Sequence, residues 1–110
     1  MKTIRCFAKY PGAPPEVVEL TEMLLSYQNF VGGLIETCTF EPGWTVICNQ
    51  DGRRLGLEHN CEILGVDFCG PILFVGVEVL EDGTNGDEFC DMPVDFETFR
   101  KLWFPELWEQ

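Results

Sequence analysis

The side chains able to do chemistry are few, and their spacing argues against catalysis. The chain has one histidine, His59, and one serine, Ser26. A Ser-His-Asp triad would have to use both. Ser26 lies inside a predicted helix, without the flanking glycines that expose a nucleophile on a strand-to-helix elbow. Cys61 and His59 form a nominal thiol–imidazole pair, but catalytic partners are normally brought together from distant segments. His59-Asn60 instead reads as a turn closed through its own side chains. The expectation is a protein that is not an enzyme and uses no cofactor.

Metal and phosphate chemistry have equally little support. The six cysteines (Cys6, Cys38, Cys48, Cys61, Cys69 and Cys90) contain no C-x-x-C pair, the spacing of zinc and thioredoxin-type sites. Most sit in apolar runs, where cysteine behaves as a small hydrophobe, so reduced structural thiols are expected. Glu81 to Met92 resembles a calcium loop only in outline. Glycine occupies a ligand position, and Met92 stands where the bidentate acid should be. No metal site is expected. Gly32-Gly33 reads as a helix stop, and the chain has no Gly-rich phosphate fingerprint.

Composition bounds the rest. At 110 residues with 45% hydrophobic side chains, the chain is long enough for one domain with its own core. No run reaches the roughly 18–20 apolar residues of a membrane span, so no membrane partner is expected. Met1 to Arg5 has two cations but no apolar stretch behind them, which predicts no signal peptide and a cytoplasmic location. The net charge is −12, unevenly spread: residues 1–60 hold seven acids and five bases, while residues 78–110 hold ten acids against Arg100 and Lys101. Such a field repels nucleic-acid phosphates and steers toward basic partners, so direct nucleic-acid binding is disfavoured.

The elements that must position these groups follow from periodicity. Thr3 to Tyr10 alternates as a strand, with Ile4, Cys6 and Ala8 on one face and Arg5, Phe7 and Lys9 on the other. Three prolines and a glycine follow as a turn, and Glu16 to Glu19 can pair back as an edge. Thr21 is the expected N-cap of a first helix, with Leu20 and Leu25 as its hydrophobic staple and Met23, Leu24, Tyr27, Phe30 and Val31 on its apolar face. Leu34 to Phe40 and Trp44 to Cys48 form a predicted hairpin across Glu41-Pro42-Gly43. Asp51-Gly52 then turns the chain into a third meander strand at Arg54 to Leu57. Glu58 to Gly65 is ambiguous, with one helical turn among the options. Pro71 to Leu80 is the most β-like run and the expected central strand. Glu81 to Glu88 reads as a solvated loop. Asp95 caps a second, aromatic-rich helix, with Val94 and Phe99 as its staple, and Pro105 bends or restarts it at Phe104. Pro105-Glu106 opens a final turn carrying Leu107 and Trp108. The predicted class is α+β: a small, mainly antiparallel sheet with two helices, in a single domain over residues 1–110.

Several segments resemble the domain-of-unknown-function 3846 family, small proteins of bacteria, phages and other mobile elements. They are Val31-Gly32-Gly33-Leu34-Ile35-Glu36, Val46 to Gly52, Leu55-Gly56-Leu57 followed by Asn60, the opening Lys2 to Arg5, and the strand from Gly70 to Val77. The similarity spans roughly residues 2–80. The chain departs from the family pattern at Glu58-His59, and its part from 81 to 110 is unusually acidic and aromatic. The resemblance implies a small α+β domain in a mobile-element setting, and no catalytic residues.

Three functions from different classes are compatible with these residues. The first is a phage or mobile-element protein that binds and inhibits a host defence protein in the cytoplasm of a bacterial host. It would dock Glu78, Glu81, Asp82, Asp87, Glu88, Asp91 and Asp95 on a basic, nucleic-acid-binding surface, as a nucleic-acid mimic, with Phe99, Trp103 and Trp108 as aromatic anchors. The second is a small-molecule sponge for a nucleotide signal, held by Trp44, Arg53, Arg54, His59 and Asn60. The third is an accessory module that forms a homodimer through the aromatic tail.

Overall fold

A computed structural model describes residues 2–105. Eight strands and two helices follow in the order β1 (Thr3–Lys9), β2 (Glu16–Thr21), α1 (Leu24–Val31), β3 (Ile35–Glu41), β4 (Trp44–Asn49), β5 (His59–Ile63), β6 (Val66–Cys69), β7 (Ile72–Val79), β8 (Asn85–Cys90) and α2 (Phe96–Trp103). Every strand pairing is antiparallel. The α+β class with an aromatic-rich C-terminal helix is therefore the observed one.

The main sheet runs β2-β1-β7-β4-β3, with β8 also paired to β7. β7 is its centre, as its unbroken apolar run predicts, and Ile72 to Val77 are all buried. One edge of β7 takes β4. The other takes β1 beside Ile72 to Phe74 and β8 beside Gly76 to Val79. Where β8 ends, the Met92 N–H donates to the Arg5 carbonyl at 3.0 Å and the Arg5 N–H donates to Asp91 Oδ1 at 2.7 Å. These bonds tie the end of β8 to β1.

Strand alternation divides the core into two layers. On one side Ile4, Cys6, Ala8, Ile47, Leu73 and Val75 pack against Tyr27 and Val31 of α1. On the other, Phe7, Trp44, Val46 and Phe74 pack under Phe99 and Phe104, with Ile63 and Phe68 from the separate β5–β6 hairpin closing that layer. The faces expected for β1 are the observed ones. The second layer is built largely of rings: Phe99 lies with its centroid 4.8 Å from Phe74, 5.0 Å from Phe7 and 5.7 Å from Trp44.

Several local expectations are corrected. Thr21 is the last residue of β2 rather than a helix cap. α1 begins at Leu24 behind Met23, which makes no side-chain cap bond. Leu24 and Leu25 are exposed, so the Leu20–Leu25 staple does not form. Arg54 to Leu57 is not a strand. The Asp51 N–H donates to the Asn49 side chain at 2.8 Å, and further i→i+4 and i→i+5 bonds curl residues 51–57 into successive turns. The second partner of the fully buried β4 is β7 instead. Glu58 to Gly65 is no helical turn: it supplies β5 and a tight turn with positive φ at both Leu64 (48°) and Gly65 (86°), the geometry of a two-residue hairpin loop. The loop expected over Glu81 to Glu88 shortens to a turn before β8. Asp95 does cap α2, its Oδ2 accepting from the Thr98 N–H at 3.2 Å, and the regular helix stops at Phe104. The turn expected from Pro105-Glu106 onward falls, apart from Pro105 itself, outside the described residues, Leu107 and Trp108 included.

Candidate functional site

The β7–β8 hairpin gathers the acidic residues. Glu78, Glu81, Asp82, Asp87 and Glu88 are all exposed, and among the described residues none of them forms an ion pair. They do not make one flat face. Asp87 lies with Thr45, Val77 and Phe89 on the α1 side, whereas Glu78 lies over Gly86 and alternation turns Glu88 toward the α2 side. The feature is an acidic ridge, with Val79 and Leu80, 53% and 45% exposed, at its tip. Asp82 has a structural task there. Its Oδ1 accepts from the Thr84 hydroxyl at 2.6 Å and the Thr84 N–H at 3.0 Å, which lowers its pKa and pins the turn. Asp91 holds the Arg5 amide and Asp95 caps α2, so these two expected contact residues also serve the fold.

Of the three expected aromatic anchors, Phe99 is corrected by burial. Phe99 is 1% exposed and cannot meet a partner while the domain is folded. Trp103 is half-buried, packed edge-on against Trp44 with centroids 5.3 Å apart. The outward apolar side chain of α2 is Leu102, at 71% exposure. Trp108 lies outside the described residues. A dimer through Phe99 and Phe104 would require unmaking the core, so these two rings are not a free surface.

The alternative ligand residues fall in three places. Trp44 is a core residue, 2% exposed, whose indole N–H donates to Glu41. Arg53 and Arg54 line a cleft of about 430 Å³ between the β3–β4 hairpin and β6, together with Glu36, Asn49, Asp51 and Asp67. Arg54 is paired to Asp51 at 3.1 Å, and His59, beside the cleft, reaches Asp67 at 3.3 Å. Cys38 and Cys48 line the same cleft. Burial, then Glu36 and Cys38, push the Cys48 thiol up to about 11; burial and Glu36 also raise Cys38. Both are thus protonated at neutral pH, whereas a cysteine nucleophile needs the thiolate. All six cysteines are free. Among the described residues, no three His, Cys, Asp or Glu side chains are placed to hold a metal, and no helix is long and apolar enough to cross a membrane.

Asn60 belongs to a different network, which sequence reasoning missed. It is buried; its Nδ2 donates to the carbonyls of Lys9 and Gly70, both at 2.8 Å, and its Oδ1 accepts from Lys9 Nζ at 2.9 Å. Lys9 itself is 3% exposed. The available signal was its place beside Phe7 on one face of β1, a face that had to be covered once that strand lay inside a sheet.

The fold and these sites define a small antiparallel α+β domain with an aromatic layer on one side of its sheet and an acidic hairpin at its rim. Its sequence matches the model of a family described as a domain of unknown function (DUF3846) over residues 4–103, and the chain belongs to that family. The match continues past residue 80 through β8 and α2. No curated protein and no solved structure matches it.

The segments of family resemblance meet in the fold as clasps. Gly32 takes the left-handed conformation that ends α1 (φ 83°), and Gly33 leaves room for the Asn49 side chain, which a Cβ there would meet at 3.0 Å. Asn49 Nδ2 in turn donates to the Val31 carbonyl at 3.1 Å. Gly52 runs so close to the Cys69 carbonyl that a Cβ would lie 2.9 Å from it. These contacts fix the loops around the cleft to the sheet.

Proposed function

We propose that this is a non-enzymatic binding protein that docks the acidic β7–β8 ridge on a basic, nucleic-acid-binding surface of another protein. In the mobile-element setting that the resemblance implies, the partner is a host defence protein, inhibited because carboxylates occupy the place of phosphates. The observation that supports this is the set of five exposed hairpin acids with no cation paired to any of them among the described residues. Unpaired like charge opposes the compact state, and a cationic surface would relieve it. Val79 and Leu80 add a small apolar centre inside a charged rim, the usual composition of an interface patch.

The test is capture of a partner from host lysate by the wild type, by a Glu81→Lys/Glu88→Lys variant, and by a Glu16→Lys/Glu58→Lys control with the same net charge. Loss of one captured protein in the hairpin variant alone is the expected result. Equal loss in both variants would reduce the interaction to net charge and sink the assignment to the ridge.

A second reading rests on the 430 Å³ cleft carrying Arg53 and Arg54, where a small molecule would bind. Glu36, Asp51 and Asp67 in the same lining oppose a polyphosphate, so an anionic nucleotide is the less favoured occupant. A ligand released on heating the purified protein, with loss of loading in Arg53→Ala, would support it.

A further inference from the structure

Among the described residues, Lys9 is a buried cation without a countercharge. Its Nζ donates to Asn60 Oδ1 at 2.9 Å and lies 3.5 Å from the Tyr10 carbonyl, and no described carboxylate is within ion-pair range. An ammonium with three donors thus has capacity left over. Removing such a group from water is unfavourable unless it is paired, and burial lowers the Lys9 pKa accordingly. The adjacent Cys61 thiol supplies no compensating charge at neutral pH, since burial pushes it up to about 11.

The cation is also held in place. Both donor bonds of the Asn60 amide go to backbone carbonyls, which aims its oxygen at Lys9. Lys9 Nζ stands 5.7 Å from the centroid of the Phe104 ring. Around it opens a cavity of about 470 Å³ lined by Lys9, Asn60, Cys61, Glu62, Trp103 and Phe104, among others. One wall is thus cationic and another aromatic, and among the described residues Glu62 is the single carboxylate in the lining.

We propose that this cavity binds a small aromatic monocarboxylate, its carboxylate on Lys9 Nζ and its ring against Trp103 and Phe104. A single negative charge suits the site better than a phosphate, because Glu62 and the overall charge of −12 repel a dianion. The assignment is independent of the acidic ridge, which lies on a different hairpin.

The experiment is calorimetric titration of the full chain with indole-3-acetate, with indole-3-acetamide as the uncharged counterpart, and with inorganic phosphate. A charge-assisted hydrogen bond predicts that the acid binds roughly ten- to a hundred-fold more tightly than the amide. Phosphate is expected to bind more weakly than the acid. Lys9→Met should erase the difference between acid and amide. Glu62→Gln, an exposed change that leaves folding alone, should tighten the acid and not the amide. Equal binding of acid and amide, no heat from either at millimolar ligand, or an acid affinity untouched by Glu62→Gln would each overturn the proposal.

Discussion

Replacing Phe99 with alanine tests whether the aromatic tail is core or contact surface. Phe99 is 1% exposed and touches four rings, with centroids 4.8 to 6.1 Å away. Truncating a buried phenylalanine costs about 3–5 kcal/mol, through lost transfer energy and the cavity left behind. Edge-on ring pairs contribute about 0.5–1.5 kcal/mol each beyond their area, which places this site toward the upper end. A domain of this size has a total stability of roughly 5–15 kcal/mol. The loss is therefore a large share of the whole, and the molecule should remain folded only in mild conditions. Urea unfolding followed by tryptophan fluorescence reads it directly: with m near 2 kcal/mol/M, the midpoint should fall by about 2 M. Leu102→Ala, one turn of α2 but 71% exposed, should change stability by no more than about 0.5 kcal/mol. If the two variants shift the midpoint equally, α2 is not part of the core, and the aromatic residues return to the surface.

Three further outcomes follow from the same packing. The thiols of Cys6, Cys48 and Cys61 are each pushed up to about 11 from 9.0, chiefly by burial. The unfolded chain therefore releases these protons first. Their contribution to stability is complete below about pH 9 and is lost as pH rises toward 11. Lys9 acts in the opposite sense: its lowered pKa makes burial unfavourable at neutral pH, a penalty relieved as pH climbs toward 10.5. Because the thiols outnumber the lysine, thermal melts between pH 7 and 10.5 should show a falling melting temperature at the alkaline end, less steep in Cys6→Val; a rising one would contradict this. Asn60→Ala leaves Lys9 Nζ and two backbone carbonyls without their partner, and should cost about 3 kcal/mol in urea unfolding; a cost under about 1 kcal/mol would show that water replaces the side chain. Gly76→Ala would drive a Cβ into the Asp91 backbone carbonyl. A clash with backbone between β7 and β8 should destabilise by about 3 kcal/mol or more, and near-wild-type stability would mean that the two strands sit farther apart.

Much of the fold was legible because its strongest elements obey one period each. β1 alternates, β7 is a continuous apolar run, and Pro42-Gly43 and Gly32 end their elements with the conformations that only a few residues accept. The β5–β6 hairpin was hidden because its turn carries Leu64, a residue seldom found at positive φ, in place of an Asn-Gly or Asp-Gly signal. Conversely, Asp51-Gly52 is a good turn signal followed by no strand, since the Asn49 side chain starts a series of turns instead. Thr21 looked like a cap because composition alone cannot tell a strand end from a helix start.

The candidate sites were legible in the same uneven way. Exposure of the acidic residues could be anticipated from charge, whereas their division between two sides of a hairpin follows from alternation along β8, a strand that reads as a solvated loop in the sequence. The aromatic residues of α2 satisfied equally well the patterns for a core and for an interface, and only the three-dimensional neighbours of Phe99 separate the two. Lys9 was placed on the correct face of β1, but its burial follows from a cover built by Asn60 and Phe104, far away in sequence.

The most direct measurement for the ridge hypothesis is lysate capture at two ionic strengths, comparing wild type with the Glu81→Lys/Glu88→Lys and Glu16→Lys/Glu58→Lys variants. The Debye length shrinks from about 10 Å at 0.1 M salt to about 3 Å at 1 M, so contacts made by exposed carboxylates should be screened out. The account predicts one stoichiometric partner, held at low salt by wild type and the control variant, released at high salt, and never held by the hairpin variant. A partner retained by the hairpin variant at low salt would contradict it.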